Sequence, residues 1–370
     1  MYKISDFLES TPTVSTKKTY RIALTRYLEI LSDTKIPGDK LESSWIKYLT
    51  ETQKPGDELI LFAQNAKHLH HLSPKTIRLY GQIAVMYMKE AEIPIPNKAV
   101  RTLRIQTPAN RPISREEELD RNMVQELIHH ADLRMKSEIL IAVSSGMRIG
   151  EILSFGVQDI NLNTNPAEIH LRADITKNKT ARTVFISREA ADILGLWLKY
   201  RKKLMENESI KPNDTRCFPY AKSTEIAKFK RLLKRCSLFE IDEQTHRTTI
   251  HFHLFRKYFL TEFKLAASAE VAEELAGHTG YLSDSYRRLT KKAQQEEYLK
   301  AERNLTIDNA YVELSDTTPA NKYSTLLPSP IPLTKQQSGI ILQLQQQITE
   351  LKSEIQALNS VLSQTLCDTK

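Results

Sequence analysis

The stretch SSGMRIGEIL at residues 144–153 decides how this chain is interpreted. Its glycine, Gly146, is typical of the left-handed residue that follows the last turn of a helix. We therefore predict that a helix over 134–145 ends here and leaves Arg148 at the mouth of a turn. An arginine in that place offers a planar, permanently charged fork of donors, which suits the oxygens of a phosphate.

Further along the chain lie residues with matching chemistry. They are Lys177 between two strand-like segments, the box His253-Leu254-Phe255-Arg256, the pair Gly277-His278, and Tyr286. The transition state of a phosphodiester gathers charge on its non-bridging oxygens, so preorganised cationic donors stabilise it. A phenol attacks at neutral pH only with help, which nearby cations and a histidine base provide. These residues suit an attack by a phenolic oxygen on a phosphate.

In their order and rough spacing these residues resemble the tyrosine recombinase (phage integrase) family, strongly over 144–288 and weakly in the N-terminal helices. The resemblance implies a role for each residue. Arg148 and Arg256 clamp the phosphate, and Glu151 and Asp159 follow Arg148 in the family pattern. Lys177 protonates the leaving 5′-hydroxyl, His253 takes the tyrosine proton, His278 hydrogen-bonds the phosphate, and Tyr286 is the nucleophile. None of these roles needs a metal, a cofactor or ATP.

Two of these assignments have competitors in the sequence. Lys179 is the alternative to Lys177, which we favour because it precedes Arg182 by five positions, as the family lysine often precedes a hairpin arginine. Tyr281 is the alternative nucleophile, but it lies too close in the chain to the second histidine to reach the same phosphate. Tyr286 is preferred, although its spacing from that histidine is one residue shorter than is usual in the family.

The net charge of +8 makes an anionic partner plausible, and the resemblance implies double-stranded DNA. Basic residues near helix starts oppose the helix dipole, so their presence there favours phosphate contact over helix stability. A solvated face explains them equally well. The candidate DNA-binding residues are Lys17, Lys18, Arg21, Lys75, Arg78, Lys230 and Arg231.

Composition excludes several other classes of protein. The three cysteines are widely spaced and suggest neither a disulfide framework nor a zinc site. Histidines at 68–71 and at 246–253 lack a closed set of metal ligands, so no metal site is predicted. No apolar run approaches the roughly 18 residues that span a membrane. We expect a cytoplasmic protein, associated with the nucleoid if the source is prokaryotic.

Helical periodicity dominates the chain, and one segment differs. Ser15 or Thr16 is the expected cap of the first long helix, and Ser73-Pro74 is expected to begin another. Residues 167–186 alternate between polar and apolar on both sides of a turn, which predicts a β-hairpin. Further helices are expected over 120–131, 188–206, 222–236 and 251–265.

The C-terminal segment carries apolar residues in heptad order: Ile341, Leu344, Ile348, Leu351, Ile355, Leu358 and Leu362. Ile at a and Leu at d favour a parallel two-stranded coiled coil. An amphipathic helix docked on the same chain is the alternative.

These signals predict a mainly helical α+β protein with a small β-hairpin or sheet. The expected organisation is a helical DNA core-binding domain (1–95), a Pro-rich linker (96–114), a mixed α/β catalytic domain of tyrosine recombinase type (115–295), a Ser/Thr/Pro-rich tether (296–335) and a coiled-coil oligomerisation helix (336–366).

The resemblance implies an integrase-like, site-specific recombinase. It cleaves and rejoins duplex DNA through a 3′-phosphotyrosine and a Holliday junction, as a dimer on one site and a tetramer in the synapse. The alternatives are a chromosome-dimer resolvase of the same family, a type IB topoisomerase-like strand transferase, and a catalytically silent DNA-binding relative. A purely structural coiled-coil protein is disfavoured, because the heptads occupy too little of the chain.

Overall fold

The computed structural model describes residues 2–66, 68, 69, 71–106, 117–278 and 289–311. In chain order its elements are α1 Ile4–Glu9, α2 Val14–Ser32, α3 Leu41–Glu51, α4 Pro55–Ala66, α5 Pro74–Glu90, α6 Asn97–Gln106, α7 Arg121–His130, α8 Leu133–Ser145, α9 Ile149–Ile152, β1 Ile160–Asn161, β2 Ala167–Leu171, β3 Arg182–Ile186, α10 Arg188–Glu206, α11 Lys222–Arg235, α12 His253–Ala266, α13 Ala269–Ala276 and α14 Lys291–Leu305. Helices predominate beside one small antiparallel sheet, which confirms the predicted fold class.

Helices α1–α6 share an aromatic core. Tyr27 stacks on Trp45 with ring centroids 5.6 Å apart and meets Phe62 at 4.8 Å. All three side chains are fully buried, as is Tyr87 of α5. Such large rings bury much apolar area each and favour offset or edge contacts of this kind, so they dominate the stability of the N-terminal helices.

The helix starts of this region agree with the sequence in one case and differ in the other. The predicted start at Ser73-Pro74 is confirmed, since the Ser73 hydroxyl accepts a hydrogen bond from the Thr76 amide at 3.2 Å. The predicted cap at Ser15 or Thr16 is wrong. Thr13 caps α2 instead, and its hydroxyl accepts from the Thr16 amide at 3.1 Å.

The predicted linker over 96–114 is wrong in its first part. Residues 97–106 form α6, whose Ala99 and Leu103 are buried in the core of the N-terminal helices. Apolar residues one helical turn apart provide that anchoring face, and the nearby prolines mark the start of a helix rather than a loop. Residues 107–116 lie outside the described part of the chain.

The second half is built around α8, which is buried along nearly its whole length and packs against α10 and α12. The sheet has the antiparallel order β1-β2-β3, with Ile169 opposite Ile160 on one side and Val184 on the other. The predicted hairpin is thus confirmed, and the short β1 adds a strand that the sequence did not predict. The helices predicted over 120–131, 134–145, 188–206, 222–236 and 251–265 are α7, α8, α10, α11 and α12.

The predicted tether over 296–335 begins too early. Thr290 caps α14, and Tyr298, Ala301 and Leu305 pack into an apolar cluster with Phe259. Beyond the helix, the Gln125 amide donates to the carbonyl of residue 307 at 2.8 Å, so packing against α7 continues to that point. The predicted coiled-coil helix lies outside the described residues. Within the described ranges, no helix is long and apolar enough to cross a bilayer.

Candidate active site

The turn after α8 places Arg148 as the sequence predicts. Gly146 ends α8 with φ 65°. Any side chain at Gly146 would collide with Phe259, since an added Cβ lies 2.4 Å from its ring. Arg148 is the N-cap residue immediately before the short helix α9 and is half-buried. The left-handed glycine and the tight packing behind it fix the direction in which Arg148 leaves the helix.

Glu151 holds Arg148 in place. One carboxylate oxygen accepts from the Arg148 backbone amide at 2.9 Å, and the other accepts from its guanidinium at 3.1 Å. The same carboxylate accepts two hydrogen bonds from Arg182, at 2.8 and 3.3 Å. Burial alone raises the pKa of the Glu151 carboxyl, but the hydrogen bonds and charges of Arg182 and Arg148 keep that pKa below its ordinary value. Glu151 is therefore ionised at neutral pH and orients two arginines.

Arg256 on α12 differs from the other arginines of the site. Its side chain is 1% exposed, and one terminal nitrogen donates to the Gly146 carbonyl at 2.8 Å. The remaining nitrogens, Nε and Nη2, are buried without a hydrogen-bond partner among the described residues. Burial, and then the positive charge of Arg148, lower the pKa of Arg256 to about 10, so it stays charged at neutral pH. A buried cation with unpaired donors is costly, and an anion that accepts from it removes that cost.

Three of the predicted catalytic residues line one cavity of about 390 Å³. Arg148, Lys177 from the β2–β3 turn and His253 at the start of α12 share its wall, together with Ile149, Glu151, Ile175, Thr176 and Phe252. Arg256 does not line this cavity but joins it through Gly146, next to the lining residue Met147. The competitor Lys179 instead donates to the Asp174 carbonyl of its own hairpin at 3.1 Å, which favours Lys177.

His278 follows α13, where Gly277 adopts the left-handed conformation with φ 70°. Its ring contacts the Glu273 carboxylate, and its backbone amide donates to the Glu273 carbonyl at 2.9 Å. Burial raises the pKa of the Glu273 carboxyl, but hydrogen bonds from Lys264 and His278 keep it below its ordinary value. His278 is held by an ionised carboxylate at the edge of the site and is not among the cavity residues. Tyr286 and its competitor Tyr281 lie outside the described residues.

The candidate DNA-binding residues are on the surface, and their assignment stays a prediction. Lys17 pairs with Glu9, and Arg21 donates to the Gly38 carbonyl at 2.9 Å. Lys18, Lys75, Lys230 and Arg231 are exposed and Arg78 is half-buried. Among the described residues, no group of three His, Cys, Asp or Glu side chains is arranged to hold a metal ion.

The structure adds residues that the sequence did not single out. Lys222, the first residue of α11, lines the same cavity as Lys177. Arg182 had a place in the predicted hairpin but no role, and here it bonds Glu151 and also donates to the Leu275 carbonyl at 2.9 Å. Its position five residues after Lys177 was the available signal. No local sequence pattern indicated that Arg182 contacts Glu151 and Leu275, which lie 31 and 93 positions away in the chain.

Comparisons with known proteins agree with this geometry. Residues 117–292 match the model of the phage integrase family. The search of curated protein sequences found no match. The chain is similar to the Tn1549 transposon integrase in complex with transposon right-end DNA, with 15% identity over 85% of this chain and 99% of that one and a TM-score of 0.50. It is likewise similar to the XerH site-specific recombinase in a post-cleavage complex with a palindromic difH substrate, with 15% identity over 82% and 80% of the two chains and a TM-score of 0.50.

At such identities the solved structures establish a shared fold, and the family match covers 176 of the 370 residues, including those that line the cavity. Arg148, Lys177, His253 and Arg256 all lie within the matched residues, as does the three-stranded sheet. Residues 117–292 of this chain therefore form a domain of the phage integrase family, the tyrosine recombinases.

Proposed function

We propose that this chain is a site-specific DNA recombinase that cleaves and rejoins duplex DNA through a 3′-phosphotyrosine on Tyr286. The observation that carries the proposal is the state of Arg256. Two of its nitrogens are buried without a hydrogen-bond partner among the described residues, and its charge lies near that of Arg148, which lines a cavity together with a lysine and a histidine. This is the donor set that a phosphodiester accepts from, and it lies within the family match.

In the proposed reaction the two arginines bind the non-bridging oxygens. Arg148 is held by Glu151, and Arg256 by the Gly146 carbonyl, so neither has to reorganise when negative charge develops. Arginine supplies paired, coplanar donors for this purpose, whereas lysine offers one point charge. Removal of one preorganised donor of this kind costs about 10²- to 10³-fold in rate.

The remaining groups move protons. The Tyr286 oxygen forms a bond to phosphorus, and its proton passes to His253. The bond from phosphorus to the 5′-oxygen breaks, and Lys177 gives that oxygen a proton. The new phosphotyrosyl ester keeps the energy of the phosphodiester, so a 5′-hydroxyl from a second strand reverses the same steps and rejoins the DNA.

Duplex DNA is the proposed partner, and recombination requires further copies of the chain. The net charge of +8 and the exposed lysines and arginines of α2, α5 and α11 support phosphate contacts, whose affinity falls steeply with salt. Two protomers on inverted half-sites and four in a synapse follow from the resemblance to the family. The C-terminal heptads are proposed to hold protomers together.

Covalent trapping tests the enzyme and its nucleophile. Nicked duplexes from the genomic flanks of the gene are incubated with the wild-type chain and with Tyr286→Phe, Tyr281→Phe and Arg148→Ala, and are resolved on a denaturing gel. We expect a protein–DNA adduct that disappears in the Tyr286 and Arg148 variants only. Loss with Tyr281→Phe alone reassigns the nucleophile. Salt-sensitive binding without any adduct supports the silent DNA-binding relative instead.

A further inference from the structure

Arg182 connects three elements, α9, β3 and α13, each of which directly adjoins a segment with a proposed catalytic residue. From the first position of β3 it donates through Nη2 and Nη1 to Glu151 of α9, at 2.8 and 3.3 Å, and through Nε to the Leu275 carbonyl of α13, at 2.9 Å. Glu151 holds Arg148, β3 follows the turn with Lys177, and α13 precedes His278. One guanidinium thus fixes the relative positions of all three.

The use of its nitrogens separates Arg182 from Arg256. Each of the three nitrogens of Arg182 already donates to the protein, whereas two of Arg256 have no partner among the described residues. Arg182 is therefore satisfied in the empty protein. Lysine, with its single nitrogen, cannot make this set of contacts.

Close packing makes the contact specific. Gly277 adopts φ 70°, and an added Cβ would lie 2.8 Å from the guanidinium carbon of Arg182. Only glycine both takes this conformation easily and leaves room for the arginine behind the turn. The turn before His278 is thus shaped around Arg182.

A second contact joins the β2–β3 turn over 172–181, called the lysine turn because it carries Lys177, to the turn at Gly277. Asn178, the neighbour of Lys177, donates through its side-chain amide to the Gly277 carbonyl at 3.3 Å. Inside the turn, the buried Thr176 hydroxyl lies 3.0 Å from the Thr180 carbonyl and stiffens it. The lysine turn is therefore a small rigid unit, docked on the end of α13 by Asn178 and Arg182.

We propose that Asn178 and Arg182 are positioning residues that dock the lysine turn on the Gly277-His278 turn, so that Lys177 and His278 reach the same phosphate. The inference rests on the proposed function and goes beyond it, because it names how the proton donor is placed. Neither residue touches the reacting atoms. Loss of either displaces Lys177, and a displacement of about 1 Å costs roughly 100-fold in rate.

The test compares two leaving groups. In ordinary nicked DNA the 5′-oxygen needs a proton from Lys177. In a 5′-bridging phosphorothiolate the bond to sulfur breaks, and the thiolate leaves unprotonated because a thiol has a pKa of about 8.5. We expect Asn178→Ala to slow adduct formation by about 10- to 100-fold on ordinary DNA and to be near the wild-type rate on the phosphorothiolate. Arg182→Lys should be slowed on both substrates, because Arg182 also holds Glu151 and through it Arg148. Equal loss of Asn178→Ala on both substrates, or no loss, overturns the proposal.

The matched control is Asn163→Ala, an exposed asparagine in the β1–β2 loop. A second readout needs no catalysis: hydrogen exchange of the DNA-free chain over 172–181 and 269–278. Both segments should exchange faster in Asn178→Ala and not in Asn163→Ala. If the wild-type chain cleaves neither substrate, the proposed function fails, and this exchange measurement still decides whether Asn178 docks the turn. Unchanged exchange contradicts the proposal.

Discussion

Replacement of Gly146 by alanine tests the structural basis of the site. A residue other than glycine at φ 65° costs about 1–2 kcal/mol, because its Cβ meets the following carbonyl. The added Cβ also lies 2.4 Å from Phe259, a buried ring of α12, and overpacking of this kind costs about 1–3 kcal/mol. Together we expect Gly146→Ala to lower the free energy of unfolding of the domain over 117–292 by about 2–5 kcal/mol.

The matched control lies four residues away in the same stretch. Gly150 is within α9, and an added Cβ there meets no heavy atom within 4 Å. Gly150→Ala should change stability by less than about 1 kcal/mol, in the stabilising direction because the unfolded chain loses freedom. The pair separates the cost of the left-handed, crowded position from the cost of an added methyl group.

Native-state hydrogen exchange of the α8 amides is the assay, because it reports this domain separately from the N-terminal helices. Each 1.4 kcal/mol changes an equilibrium tenfold. The most protected α8 amides should therefore exchange about 30-fold to several-thousand-fold faster in Gly146→Ala. If the two alanine variants exchange alike, the argument from the glycine turn is wrong.

Three further predictions concern the second half of the chain. Tyr298→Phe should lower the free energy of unfolding in urea by about 1–2 kcal/mol, because the buried hydroxyl donates to the Ser144 carbonyl at 2.8 Å and that carbonyl loses this partner. The control Tyr200→Phe, at an exposed tyrosine, should leave the free energy of unfolding unchanged. Burial raises the pKa of Glu189 from 4.5 to about 7, so between these values the folded state holds a proton that the unfolded state has lost. The free energy of unfolding should therefore fall by up to about 3 kcal/mol as pH rises from about 5 to 7. When unfolding is measured across that range, the fall should be smaller in Glu189→Gln. Deletion of 335–370 should weaken assembly in analytical ultracentrifugation more than it weakens adduct formation on nicked DNA, and equal loss of both, or of neither, contradicts the role proposed for the heptads.

The sequence predicted the elements whose signals are local. Gly146 marks the end of α8, and alternation in 167–186 gives both strands of the hairpin. It missed α14 because that helix is mostly polar and shows only a thin apolar stripe, Tyr298, Ala301 and Leu305. Its stability comes from the tertiary contact with Phe259 and its neighbours, which no local pattern contains.

The candidate site shows the same division. Residue type and order in the sequence predict Arg148, Lys177, His253 and Arg256 as site residues, and three of them line one cavity. The roles of Glu151 and Arg182 depend on which atoms meet across distant segments, and those contacts are set by packing. Proline-based prediction of a linker failed at α6 for a related reason, since Leu103 is anchored by the core formed by earlier helices.

Two nitrogens of Arg256 have no hydrogen-bond partner among the described residues, and this has a consequence for the stability of the DNA-free protein. A buried guanidinium that lacks acceptors is a point of local frustration, where the best sequence for folding and the best sequence for function differ. Replacing a buried charge by an apolar side chain often stabilises a fold. The arginine at this position therefore lowers the stability of the domain in exchange for the ability to bind an anion. The domain should therefore be more stable with a bound oxyanion than without one, and its melting temperature should rise with the concentration of inorganic phosphate. Under the proposed function, the phosphate of the DNA would supply the acceptors that Arg256 lacks among the described residues.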